Sequence, residues 1–125
     1  MDRVRFIEHN GKQVLLLDFS HCEPEEVFEI MDECKRIVTS QPKGSVLTFS
    51  DMTEGRFTKD GIQRMKEVAA YDRPFVKRAA VIGRHPATDV VHKAIMDFSL
   101  RDFRRFETRE EALDWLTAEG ESVQA

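Results

Sequence analysis

Cys22 stands directly before Glu23-Pro24-Glu25-Glu26, which reads as the opening of a helix. A thiol near a helix N-terminus is favoured as thiolate, with a pKa lowered to roughly 3.5 to 7.5 in good sites. His21 and His85 are the candidate bases and Asp51 the candidate third member, so the chemistry these residue types allow is a thiol nucleophile at one rim. Against it, adjacent residues on an extended chain point to opposite sides, which leaves His21 badly placed to serve Cys22. A cysteine beside a capped helix start is more often a small packing residue. The balance assigns no catalytic residue and keeps the Cys22 thiol enzyme as the lesser alternative, with His21, Cys22, Asp51 and His85 as its rim.

Metal chemistry has less behind it. His9, His21, His85 and His92 stand apart from one another, and the interval between Cys22 and Cys34 matches neither a zinc ribbon nor a CxxC redox pair, so no metal and no cofactor is expected. Arg101, Arg104, Arg105 and Arg109 are interleaved with Phe103 and Phe106, but Asp102, Glu107, Glu110 and Glu111 offset much of that charge. A salt-bridged surface outweighs a nucleic-acid patch there.

The elements that must position these groups follow from periodicity. Arg3 to Glu8 alternates, Asn10-Gly11 is a hairpin turn, and Gln13 to Phe19 is an almost continuous apolar run; together they predict an antiparallel edge strand and an inner strand. Val27, Ile30, Met31, Cys34, Ile37 and Val38 give the first helix its inner face. Ser45 to Asp51 reads as a strand covered on both faces. Thr58 is the N-cap of a second helix with Ile62, Met65, Val68 and Ala69 inward, and Gly61 in its first turn hints at close approach by another backbone or a partner. Phe75 to Gly83 is a fourth strand. A third helix carries the stripe Val90, Val91, Ala94, Ile95 and Phe98, with His92 toward water. Phe103 to Glu107 is a last strand, and Thr108 with Glu111 opens a helix running to about Glu119.

The predicted order, β-β-α-β-α-β-α-β-α, is an α/β fold with a mostly parallel five-stranded sheet, an antiparallel edge strand and helices on both faces. The chain of 125 residues is read as one domain over 1–119 and a flexible tail over 120–125. Its 19 basic and 23 acidic side chains alternate along the sequence to a net charge of −4, which argues against nucleic acid as the main partner. There is no apolar run approaching the roughly 20 residues of a membrane span. A cytoplasmic protein is the default expectation.

Several segments in combination carry a resemblance: Lys12 to Phe19 followed by Glu23-Pro24-Glu25-Glu26; Ser45-Val46-Leu47-Thr48-Phe49-Ser50-Asp51; Pro74 to Gly83; and Glu110-Glu111-Ala112-Leu113-Asp114-Trp115-Leu116. They resemble the SpoIIAA-like branch of the STAS fold, the anti-sigma-factor antagonist type, whose small members are also described as STAS/SEC14-like. The resemblance covers nearly the whole chain. It implies a non-enzymatic regulatory domain that docks on a protein partner and is switched by phosphorylation of a serine at the start of the helix after the central strand. Where that type has an Asp-Ser-Ser-Gly-like motif, this chain reads Thr58-Lys59-Asp60-Gly61, with Asp60 at the serine position and Thr58 the nearest hydroxyl.

The resulting expectation is a protein partner engaged through Asp51, Met52, Phe57, Thr58, Asp60 and Gly61, with Thr58 or Ser50 as the residue that any modification would use. Exposed Met52 and Phe57 would supply an adaptable apolar contact. A small apolar or acyl ligand, as in a SEC14-like carrier, is the alternative, and homodimerisation through the edge strand or a helix face is compatible with both.

Overall fold

Asn10 and Gly11 both take positive φ, 52° and 80°, as a two-residue hairpin of the mirror-image kind requires, and fold β1 (Val4–His9) antiparallel onto β2 (Lys12–Asp18). The chain continues through α1 (Pro24–Val38), β3 (Val46–Asp51), α2 (Lys59–Asp72), a 3-10 turn (Arg73–Phe75), β4 (Val76–Ile82), α3 (Pro86–Ser99), β5 (Arg104–Phe106) and α4 (Arg109–Leu116). This computed structural model describes residues 2–83, 86–99, 101 and 103–118, with backbone alone at 86–88.

The sheet runs in the order β1-β2-β3-β4-β5, and every pair after the hairpin is parallel, as the sequence predicts. Strand order then dictates where the helices lie. Right-handed crossovers that always step in the same direction deposit their helices on the same face. Accordingly α1, α2 and α3 share one core with Leu15, Leu17 and Val81, while α4 crosses the opposite face and packs Ala112, Leu113 and Leu116 on Val14, Leu16, Phe49 and Ala80. Period-two alternation in β2 and β4 supplies both cores.

Local signals start α2 and α4 where expected. Thr58 Oγ1 accepts from the Gly61 N–H at 3.3 Å and Thr108 Oγ1 from that of Glu111 at 3.2 Å. Cys34 is buried in the core, as predicted.

Some expectations are corrected. Among the described side chains of α3 the buried ones are Val91, Ile95 and Ser99, whereas Val90 is 69% and Phe98 49% exposed. Successive buried residues four apart define a stripe narrower than the apolar pattern, because α3 packs chiefly on α2 at the margin of the layer. His92 is not a solvated residue: its imidazole is half-buried, with Nε2 at 2.6 Å from the Phe103 carbonyl. Phe75 belongs to the 3-10 turn instead of β4, and α4 stops at Leu116, short of Glu119, which with the tail lies outside the described residues.

Candidate functional site

Parallel register aligns Asp18, Asp51 and Ile82 across the carboxyl ends of β2, β3 and β4, so the segments leaving those strands meet at one rim. The loop after β3 is stapled there by backbone hydrogen bonds. The Met52 N–H donates to the Ile82 carbonyl at 3.0 Å, the His21 N–H to Thr53 at 2.9 Å, and the Arg56 N–H to Cys22 at 3.1 Å. Asp51 Oδ1 accepts from the Thr53 N–H at 3.0 Å, closing the first turn of the loop. Gly55 lies so close to the β2–α1 connection that a Cβ on it would stand 2.6 Å from the Phe19 carbonyl oxygen. The close approach expected at Gly61 therefore belongs to Gly55. A Cβ on Gly61 would meet Val27 Cγ1 at 3.4 Å, an ordinary contact.

The rim sorts the predicted partner-binding residues into two groups. Thr58 and Asp60 are exposed, with Lys59 between them, and Asp51 is half-buried. Met52 is only 3% exposed and Gly61 is buried, so neither offers side-chain surface to a partner. Met52 still follows the strand's alternation: Val46, Thr48, Ser50 and Met52 share a face, a signal readable in the sequence had the strand been extended by one residue. Phe57 is half-buried, its ring 5.9 Å from that of Phe19. Of the two hydroxyls expected to take a modification, Ser50 is buried within β3, out of reach of a modifying enzyme, and Thr58 is exposed.

Gly61→Ala supplies a separable test of this geometry. The methyl fits, and alanine relieves glycine's backbone entropy, so the variant is expected to gain up to about 1 kcal/mol of stability in urea unfolding. A loss of stability would show that the turn is more crowded than the 3.4 Å contact implies.

The rim thiol does not have the character a nucleophile needs. Cys22 is fully buried, its sulfur lies 3.9 Å from the Arg56 carbonyl, and burial pushes the thiol above its ordinary range despite that contact. His21 is exposed and held at φ 54°. His85, with Arg84, lies outside the described residues. The arginines near β5 form no open stripe either. Arg105 donates to the Gly83 carbonyl at 2.7 Å and pairs with Asp89, Arg104 covers the Phe106 and Trp115 rings, and Arg109 lies over Phe49.

A polar cluster that the sequence does not announce sits beneath the helices. Asp72, the last residue of α2, is 2% exposed; its Oδ2 accepts from Cys34 Sγ of α1 at 3.5 Å, and its Oδ1 has no hydrogen-bond partner among the described residues. Arg101, after α3, donates to the Ala69 carbonyl at 3.1 Å and lies over the Phe103 ring at 4.3 Å. Burial raises the Asp72 carboxyl to about 6, against the opposing pull of Cys34, Arg101 and Lys35. Burial likewise lowers Arg101 to about 10 and drives the Cys34 thiol well above its ordinary range. Asp72, Arg101 and His92 line a cavity of about 60 Å³ between the three helices and the sheet, otherwise walled mainly by apolar side chains. Nothing local marks Asp72, because its burial is produced by three segments distant in the chain.

Among the described residues no group of three or more His, Cys, Asp or Glu could hold a metal ion, and no helix is long and apolar enough to cross a membrane. No family model and no curated protein matches the sequence. A fold comparison matches the crystal structure of an uncharacterized protein of the DUF3478 family with a SpoIIAA-like fold, from Shewanella loihica PV-4. The TM-score is 0.67 at 17% identity, over 90% of this chain and 91% of the other. The chain thus has a SpoIIAA-like fold, as its segments imply.

Proposed function

We propose that this chain is a non-enzymatic binding domain of the cytoplasm, a single domain over 1–119 that engages a protein partner through the exposed side of the loop after β3 and the first turn of α2. The observation that carries the reading is preorganisation. The loop is hydrogen-bonded to its neighbours at Met52, Thr53 and Arg56, and it presents Thr58, Lys59 and Asp60 outward at a capped helix start. A surface already fixed in one geometry loses little freedom on binding. Phe57, half-buried against Phe19, supplies an apolar margin beside the charged positions. The SpoIIAA-like fold supports the same reading by analogy with anti-sigma-factor antagonists.

Asp60→Arg tests it. Asp60 is exposed, so reversing its charge at the positive end of α2 is expected to lower stability by only about 0.3 to 1 kcal/mol. Recovery of a specific partner by the tagged protein from its native cells should fall at least tenfold. Equal recovery of the same proteins by wild type and variant, both folded by circular dichroism, would overturn the proposal. If Thr58 carries regulation, intact-mass measurement should find a phosphorylated fraction that Thr58→Val removes. The acyl-carrier alternative draws less support, since a cavity of about 60 Å³ is far below the roughly 300 to 1,000 Å³ of pockets that take drug-sized ligands.

A further inference from the structure

The cavity under α1, α2 and α3 has the chemistry of a site for a much smaller molecule. Asp72 is more than nine-tenths buried, yet its Oδ1 has no partner among the described residues, whereas buried polar atoms in folded proteins are nearly all hydrogen-bonded. Its other oxygen is taken by Cys34, and His92 is engaged with the Phe103 carbonyl. What is needed at Oδ1 is a donor arriving through the cavity.

We propose that this cavity binds a small neutral amphiphile, a short-chain alcohol or a molecule of that chemistry, with its hydroxyl donating to Asp72 Oδ1 and its hydrocarbon end among Met31, Met65, Val68 and Ile95. Charge selects neutrality. The Asp72 carboxylate already faces the fields of Arg101 and Lys35, so a cationic occupant would add positive charge to a cluster that holds it, and an anionic one would meet Asp72 itself. Size selects a short chain, because a cavity of about 60 Å³ has room for only a few atoms beyond a water molecule. The methionine walls, unbranched and readily rearranged, give an occupant of three or so carbons room to settle. Met52 and Phe19 line the cavity at the base of the outer loop, but Thr58, Lys59 and Asp60, on which the protein-docking reading rests, do not.

The test titrates 1-propanol and, separately, 1-chloropropane into the whole protein at pH 7.5, following the methyl signals of Met31 and Met65 by NMR. Propanol is expected to shift both saturably and to bind at least tenfold more tightly than the chloro compound, which matches it in shape and lacks the donor. Asp72→Leu should weaken propanol at least tenfold without weakening chloropropane, while Asp60→Arg should leave both affinities unchanged. Absence of saturable shifts in the wild type, which would mean that water alone occupies the cavity, overturns the proposal. Equal affinity for the two compounds, or preference for the chloro compound, overturns it as well. The wild-type comparison decides the matter alone if the leucine variant does not fold.

Discussion

Asp72→Asn is expected to flatten the pH dependence of stability and to leave the variant more stable than wild type at neutral pH by up to about 3 kcal/mol. The carboxyl is held near 6 in the folded protein instead of its ordinary 3.8, because burial disfavours the charge more than Cys34, Arg101 and Lys35 favour it. Each tenfold change in proton affinity corresponds to about 1.4 kcal/mol. Below the unfolded value both states are protonated, and the favourable contribution of the neutral acid is complete. As pH rises toward 6 the unfolded chain has already released its proton while the folded chain retains it, so stability falls; above 6 the contribution is gone. Asparagine approximates the neutral acid in size and cannot ionise. Urea unfolding of both proteins from about pH 4 to 7.5 measures the difference directly. Glu26, held low by the Glu23 N–H, and Glu33, held low by Arg36, titrate alike in both proteins and cancel. A wild-type-minus-variant difference that does not change with pH would show that Asp72 ionises normally in the folded state.

Asp72 also shows where sequence reasoning stops. The hairpin at Asn10-Gly11, the helix caps at Thr58 and Thr108, and the inner face of α1 were legible because each depends on residues within one turn or one strand of each other. Strand order was not, since periodicity says nothing about neighbours; yet once the order is known, the one-sided layer of three helices follows from crossover handedness. Within Tyr71-Asp72-Arg73-Pro74 an aspartate before a proline-bearing break looks like surface. It becomes interior only because Cys34 of α1 and Arg101 after α3 close over it. The candidate loop was located correctly in the fold but misread in its contacts. Met52 turns inward with the strand's alternation, and the tight glycine is Gly55, whose restraint comes from a carbonyl 36 residues earlier, at Phe19.

That carbonyl belongs to a residue whose ring is among the largest fully buried side chains. Phe19→Ala is expected to lower stability by about 3 to 5 kcal/mol, the usual cost of truncating a buried phenylalanine, against a total of roughly 5 to 15 kcal/mol for a domain of this kind. Phe19 is 1% exposed, its N–H donates to the Asp51 carbonyl at 2.8 Å, and its ring supports Phe57 and lines the interior cavity. Removal would merge the vacated volume with that cavity and leave Phe57 without the face it packs on. The effect should therefore appear twice: as a lower urea midpoint at unchanged slope, and as faster tryptic cleavage after Arg56, which lies between the two restraints. Phe57→Ala should cost less, because its ring is only half-buried, and the Phe19/Phe57 double variant should reveal a coupling of about 0.5 to 1.5 kcal/mol. Additive losses would mean that the loop is held by its backbone hydrogen bonds alone. In that event Phe57→Ala would leave the docking geometry intact, and any loss of partner binding in that variant would report direct contact of the ring with the partner.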